Sequence, residues 1–141
     1  MVAIVKELTI EAAPERVWGA LTQPDEIGHW WTNDLNAKPE VGSLVEFRFG
    51  EWGDFVLRFE VAELDQDKKV RWIAKQVPPH WAGTSVTWQL EPVHNGTTLL
   101  FTHDGFTQID ERAGGAWVFF LASLKSYLET GKGTPGTPPG F

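Results

Sequence analysis

The chain has 141 residues, a net charge of −7 and no cysteine. Its length allows one domain with a single core, and the missing thiols exclude disulfides, thiol nucleophiles and thiolate metal sites. A field of this sign repels phosphate backbones, so no nucleic-acid partner is expected. No apolar run approaches the roughly 18 residues of a membrane span, and the start, "MVAIVKELTI", shows no leader pattern, so a cytoplasmic protein is expected.

Residues 3–10, "AIVKELTI", mix β-branched and polar side chains and read as a strand. In "APERVWGALT" Pro14 suits a first helical turn, and Val17, Trp18 and Leu21 share a face. Pro24 ends that helix and starts another short one in "PDEIGHWWTNDL". There Ile27, Trp30 and Trp31, at i, i+3 and i+4, form one inward stripe.

From residue 43 the period falls to two. "SLVEFRFG" sets Val45, Phe47 and Phe49 against Glu46 and Arg48. "DFVLRFEVAEL" sets Phe55, Leu57, Phe59 and Val61 against Val56, Arg58 and Glu60. "KVRWIAKQV" faces Val70, Trp72 and Ala74 one way, and "TSVTWQLEP" faces Val86, Trp88 and Leu90. "TTLLFTHDG" faces Leu99, Phe101 and His103. Turn signals lie between the runs, at 50–53, 65–67, 78–83 and Asn95-Gly96. The short connections make the neighbours antiparallel, with one apolar and one wet sheet face.

"IDERAGGAWVFFLASLKSYLE" places Ala113, Ala116, Trp117, Phe120, Leu121, Leu124 and Leu128 on one helical stripe nearly five turns long. Gly131 follows as a C-cap. Gly114 and Gly115 imply either a loose first turn or a close approach of the sheet. The remainder, "KGTPGTPPGF", builds neither helix nor sheet and is expected as a flexible tail, 132–141, beyond a domain at 1–131.

The expected class is α+β. A curved antiparallel sheet of about six strands is covered by a long C-terminal helix, with two short helices after the first strand. Four features together carry a resemblance: Pro14-x-x-Val17-Trp18 on a helix, the Trp30-Trp31 pair, the strand end Thr102-His103-x-Gly105-Phe106, and a last helix opening with Trp117. With them the chain resembles the heat-shock-protein-90 ATPase activator-like branch of the START-like (SRPBCC) superfamily, over residues 3 to about 132. The resemblance implies the helix-grip fold, in which a bent sheet clasps the terminal helix around a cavity. Some relatives bind apolar molecules, some are cyclases and some are co-chaperones. The activator proteins carry a further domain for which this length leaves no room.

Trp30, Trp31, Phe47, Phe49, Phe59, Trp72, Trp88, Phe101, His103, Trp117 and Phe120 are the expected lining for a small hydrophobic or aromatic ligand. They would equally serve as a filled core. His103 is the one inward polar side chain among them, an anchor for a carbonyl or hydroxyl. Asp104 falls on the opposite strand face, which makes a His103–Asp104 dyad geometrically poor. Trp52 and Trp81 sit in loops, as turn packing or as a lid. The four histidines (29, 80, 94 and 103) form no metal-binding pair, and Ser43, Ser85, Ser123 and Ser126 lack a local base. No metal, cofactor or catalytic residue is therefore nominated. A ligand-binding module is the first reading, a chaperone-associated interaction domain the second, and a cyclase-like enzyme using the cavity the third. Val118 and Phe119, off the main stripe, point to a cavity mouth or to weak homodimerisation.

Overall fold

A computed structural model describes residues 2–49 and 56–136. Phe55, Trp52 and Phe141 lie outside them. In chain order the elements are β1 (Val2–Ile10), α1 (Pro14–Thr22), α2 (Pro24–Ile27), β2 (Asp34–Asn36), β3 (Leu44–Arg48), β4 (Val56–Asp65), β5 (Lys69–Gln76), a 3-10 turn (Pro79–Trp81), β6 (Ser85–Val93), β7 (Gly96–Phe106) and α3 (Glu111–Thr130).

The strands form one antiparallel sheet in the order β1-β7-β6-β5-β4-β3-β2. From β2 to β7 it is a meander of sequence neighbours, and β1 closes it beside β7. Register irregularities in the β4–β5 ladder, at Arg58/Phe59 and Val61/Glu63, bend the sheet as bulges do. The alternation expected from sequence is the observed one. Leu57, Phe59, Val61, Val70, Trp72, Val86, Trp88, Leu99, Phe101 and His103 are all buried on the concave side. The seventh strand, β2, is three residues long with a mostly polar, exposed sequence. It carries no period to detect and exists because Leu35 pairs with Phe47 across the β3 edge.

On the convex face Arg48 holds Asp34 at 2.8 Å and Glu46 at 2.9 Å, and Arg58 holds Glu46 and Gln76. Exposed pairs of this kind add little stability, of order 0.2–1 kcal/mol each. Here they fasten the short β2 edge to β3 and β4.

The long helix α3 starts at Asp110, whose carboxylate accepts the N–H of Ala113 at 2.9 Å, and ends at Gly131 with φ +85°. Its stripe Ala113, Ala116, Trp117, Phe120, Leu121 and Leu124 is buried against the sheet. Gly114 and Gly115 lie inside the helix, and an added Cβ at either would meet nothing within 4 Å. The sheet therefore does not press on them. At the other end α1 finishes with orphan carbonyls, and the indole of Trp30 takes one of them, Ala20 O, at 2.7 Å.

The start of the expected tail is fastened to the fold. Ser123 Oγ donates to Trp30 O (2.7 Å) and accepts the N–H of Thr134 (2.7 Å), and Gly136 N–H donates to Trp31 O (2.7 Å). Gly133 passes so close that a Cβ there would lie 2.3 Å from His29 O. Residues 132–136 are thus a strap across the Trp30-Trp31 turn. No described helix is long and apolar enough to cross a membrane.

Candidate functional site

The concave face of the sheet and the inner stripe of α3 bring ten aromatic side chains of the expected lining together, all buried. The turn after α2 inserts Trp31 at the centre. Its ring stacks on Phe47 at 4.1 Å and on Trp72 at 5.9 Å, and meets Trp117 at 5.4 Å and Phe120 at 5.6 Å. Trp72 in turn meets Phe47, Phe59 and Trp88 at 5.4, 5.8 and 4.6 Å. Trp117 meets Phe101 at 4.4 Å and Trp88 at 6.2 Å. Phe49 reaches Phe120 at 6.2 Å. Trp30 lies flat beside Trp31 at 5.7 Å. Such rings stabilise the fold by about 2–3 kcal/mol each through burial, with a further fraction from tilted and offset contacts. They touch one another as one continuous cluster.

His103 sits at the edge of the cluster, near the start of α3. Indole nitrogen only donates. The 3.0 Å bond from Trp117 Nε1 to His103 Nδ1 therefore makes Nδ1 the acceptor and puts the imidazole proton on Nε2, which donates to Thr84 Oγ1 at 2.9 Å. Thr84 passes its own proton to Trp81 O at 2.6 Å. Burial pulls the imidazole down from 6.5 to about 4, against the smaller pull of Asp104 and Asp110 in the other direction. His103 is thus a neutral ring with both nitrogens occupied, and no lone pair is left over for proton transfer. Asp104 does face away, accepting from Ser85 Oγ at 2.8 Å.

Trp81 closes this end. Its ring meets His103 edge to face at 4.8 Å and stacks over Trp117 at 6.5 Å. Its indole donates to Asp110 Oδ2 at 3.3 Å, where His80 Nε2 also binds at 3.0 Å. Asp110 therefore ties the 3-10 turn to the first turn of α3. Outside this tie lies an open depression of about 640 Å3 lined by His80, Phe106, Asp110 and the 107–112 segment. From it the order inward is Asp110, Trp81, Trp117, then Trp31 and Trp88.

Sequence parity locates the inward rings and His103. It does not locate Thr84, Trp81, Asp110 or Ser123 as their partners. The one usable signal was Asp110 before the final helical stripe, a capping pattern. Among the described residues no three His, Cys, Asp or Glu side chains converge as metal ligands do.

The Activator of Hsp90 ATPase homolog 1-like protein family model matches residues 11–129. Among solved structures, the chain is similar to the Aha1 dimer of Colwellia psychrerythraea, with 38% identity and a TM-score of 0.86, over 94% of this chain and all of that one. It is similar to protein MLL2253 of Mesorhizobium loti, with 31% identity and a TM-score of 0.76, over 90% and 96% of the two chains. It also resembles DynU16, from the dynemicin biosynthetic locus, with 26% identity and a TM-score of 0.78, over 93% of this chain and 48% of that one. No match is found among curated protein sequences.

Proposed function

The chain belongs to the Activator of Hsp90 ATPase homolog 1-like family, and from that membership we propose that it binds a small hydrophobic or aromatic molecule between the sheet and α3. The observation that carries this reading is the continuous run of rings from Trp81 at the rim, through Trp117, to Trp31 and Trp72 at the centre. A planar guest replaces ring–ring contacts with contacts of the same kind. Trp31, Phe47, Phe49, Trp72, Trp88, Trp117 and Phe120 line the proposed site. Trp30, Phe59, Phe101 and His103 back it.

The experiment is a titration of the whole chain with naphthalene and other small aromatic hydrocarbons, read by tryptophan fluorescence. Saturable quenching supports the reading. An unchanged spectrum up to the solubility limit of every compound overturns it.

A second reading has its own support. The family takes its name from activation of a chaperone ATPase, and Ile109 and Val118 are exposed apolar side chains just before and along α3. On this reading the α3 surface docks on a chaperone. Co-elution with Hsp90 that survives loss of small-molecule binding favours it. The relative from Colwellia is described as a dimer, and weak self-association of this chain through the same surface is the companion proposal. A constant mass by light scattering up to millimolar concentration rejects that part. For a cyclase-like enzyme no observation speaks, since both nitrogens of His103 are committed.

A further inference from the structure

Four of the described tryptophans give their indole N–H groups away: Trp30 to Ala20 O, Trp117 to His103 Nδ1, Trp81 to Asp110 Oδ2 and Trp18 to Lys69 O. Two others do not. The Nε1 atoms of Trp31 and Trp88 are buried and have no acceptor, and neither side chain has any exposed surface. Buried N–H groups in folded proteins are nearly always paired. The neighbours here are rings, and π faces are weak acceptors. Both indoles flank the same two rings, Trp72 and Trp117: Trp31 at 5.9 and 5.4 Å, Trp88 at 4.6 and 6.2 Å. The nearby polar side chain, His103, is already bonded at both nitrogens. Two buried donors therefore border the same two rings, and no described residue is an acceptor for them.

We propose that the guest of this interior is a flat aromatic ketone, or a similar carbonyl compound, whose oxygen accepts the indole N–H of Trp31, of Trp88 or of both. This rests on the binding reading above and adds the polar group that the guest must carry. A carbonyl oxygen has two lone pairs and no proton, which matches a site with donors and no acceptor. A hydroxyl would bring a proton with nowhere to go. A carboxylate would bring a buried charge, and the rings around Trp31 and Trp88 supply no cation to pair with it.

The test compares indane with 1-indanone, the same bicyclic frame with one CH2 replaced by C=O. Each is titrated into the whole chain, followed by tryptophan fluorescence and by the indole N–H resonances. The ketone prefers water more than the hydrocarbon does, so non-specific partition favours indane. The expected result is the reverse, with 1-indanone binding at least tenfold tighter and moving one or two indole N–H resonances downfield. Trp31→Phe and Trp88→Phe assign those resonances. Whichever residue donates, its replacement lowers 1-indanone affinity more than indane affinity, so the preference for the ketone shrinks toward one. Should a variant fold poorly, the resonance shifts of the unaltered protein decide alone. Equal affinity for the two compounds overturns this inference and leaves apolar binding standing. Binding of neither overturns both.

Discussion

The neutral state of His103 has a consequence for stability that can be read in a pH series. In the unfolded chain an imidazole titrates at 6.5, and in the fold burial holds His103 at about 4. Between those values the unfolded state binds a proton that the native state refuses, so stability falls as pH falls from 6.5 towards 4 and flattens below. Above 6.5 both states are neutral and the effect vanishes. From the two pKa values, His103 alone removes ~2 kcal/mol of stability between pH 7 and pH 5, and ~3 kcal/mol by pH 4. Asp104 and Asp110 oppose the burial and are contained in the value of about 4.

Other carboxyl and histidine groups add slopes of their own, so the perturbation is His103→Gln and the quantity read is a difference. Glutamine keeps a carbonyl for Trp117 and an amide for Thr84, at some general cost in packing. Urea unfolding by tryptophan fluorescence, at pH 7 and pH 5 for both proteins, gives the two losses. The unaltered protein is expected to lose ~2 kcal/mol more than the variant over this interval. Parallel losses would show that the folded imidazole takes up a proton freely. The clamp of Trp117, His103 and Thr84 would then be wrong.

Gly115→Ala is expected to stabilise by about 0.5–1 kcal/mol in a thermal melt, because the added Cβ meets open space and the helix no longer orders a glycine. A lower melting temperature would mean that the first turn of α3 is not helical in solution. Ser123→Ala strips a partner from both Trp30 O and Thr134 N–H. A loss of roughly 1–3 kcal/mol is expected, with faster hydrogen exchange at Thr134 and Gly136; unchanged exchange would detach the strap from Ser123. Asp110→Ala removes the cap on Ala113 and the acceptor for His80 and Trp81. It should cost about 1–2 kcal/mol and shift Trp81 emission to the red, whereas Asp110→Asn retains most of the cap. An Asp110→Ala protein as stable as the parent, with unshifted emission, would contradict the tie between the 3-10 turn and α3.

The period-two runs of residues 56–64, 69–77 and 97–105 fix both the strands and their buried faces, because a half-buried strand has to alternate. Parity also put His103 inside and Asp104 outside. The three-residue β2 left no such mark, since its pairing depends on β3 and on ion pairs to Arg48. The strap at 132–136 is invisible for a different reason. Composition shows that these residues cannot form helix or sheet, but not that Gly133 fits where any side chain would strike His29 O. The partners of the site residues share that fate. Thr84 is 19 residues from His103, and Ser123 is 93 from Trp30. No local pattern encodes a contact closed only by the fold.

Trp30 and Trp31 are the same residue type, adjacent and equally buried, and sequence treats them as one stripe. Hydrogen bonding separates them. Trp30 gives its N–H to the end of α1 and its carbonyl to Ser123, so both of its polar groups serve the fold. Trp31 has its carbonyl tied by Gly136, while its indole N–H has no acceptor among the described residues. An unpaired buried donor costs about 1–3 kcal/mol, and a phenylalanine would supply a ring there without it. The rule that makes His103 structural, with every polar atom answered, is the one that Trp31 and Trp88 break, each with a buried Nε1 that no described residue accepts.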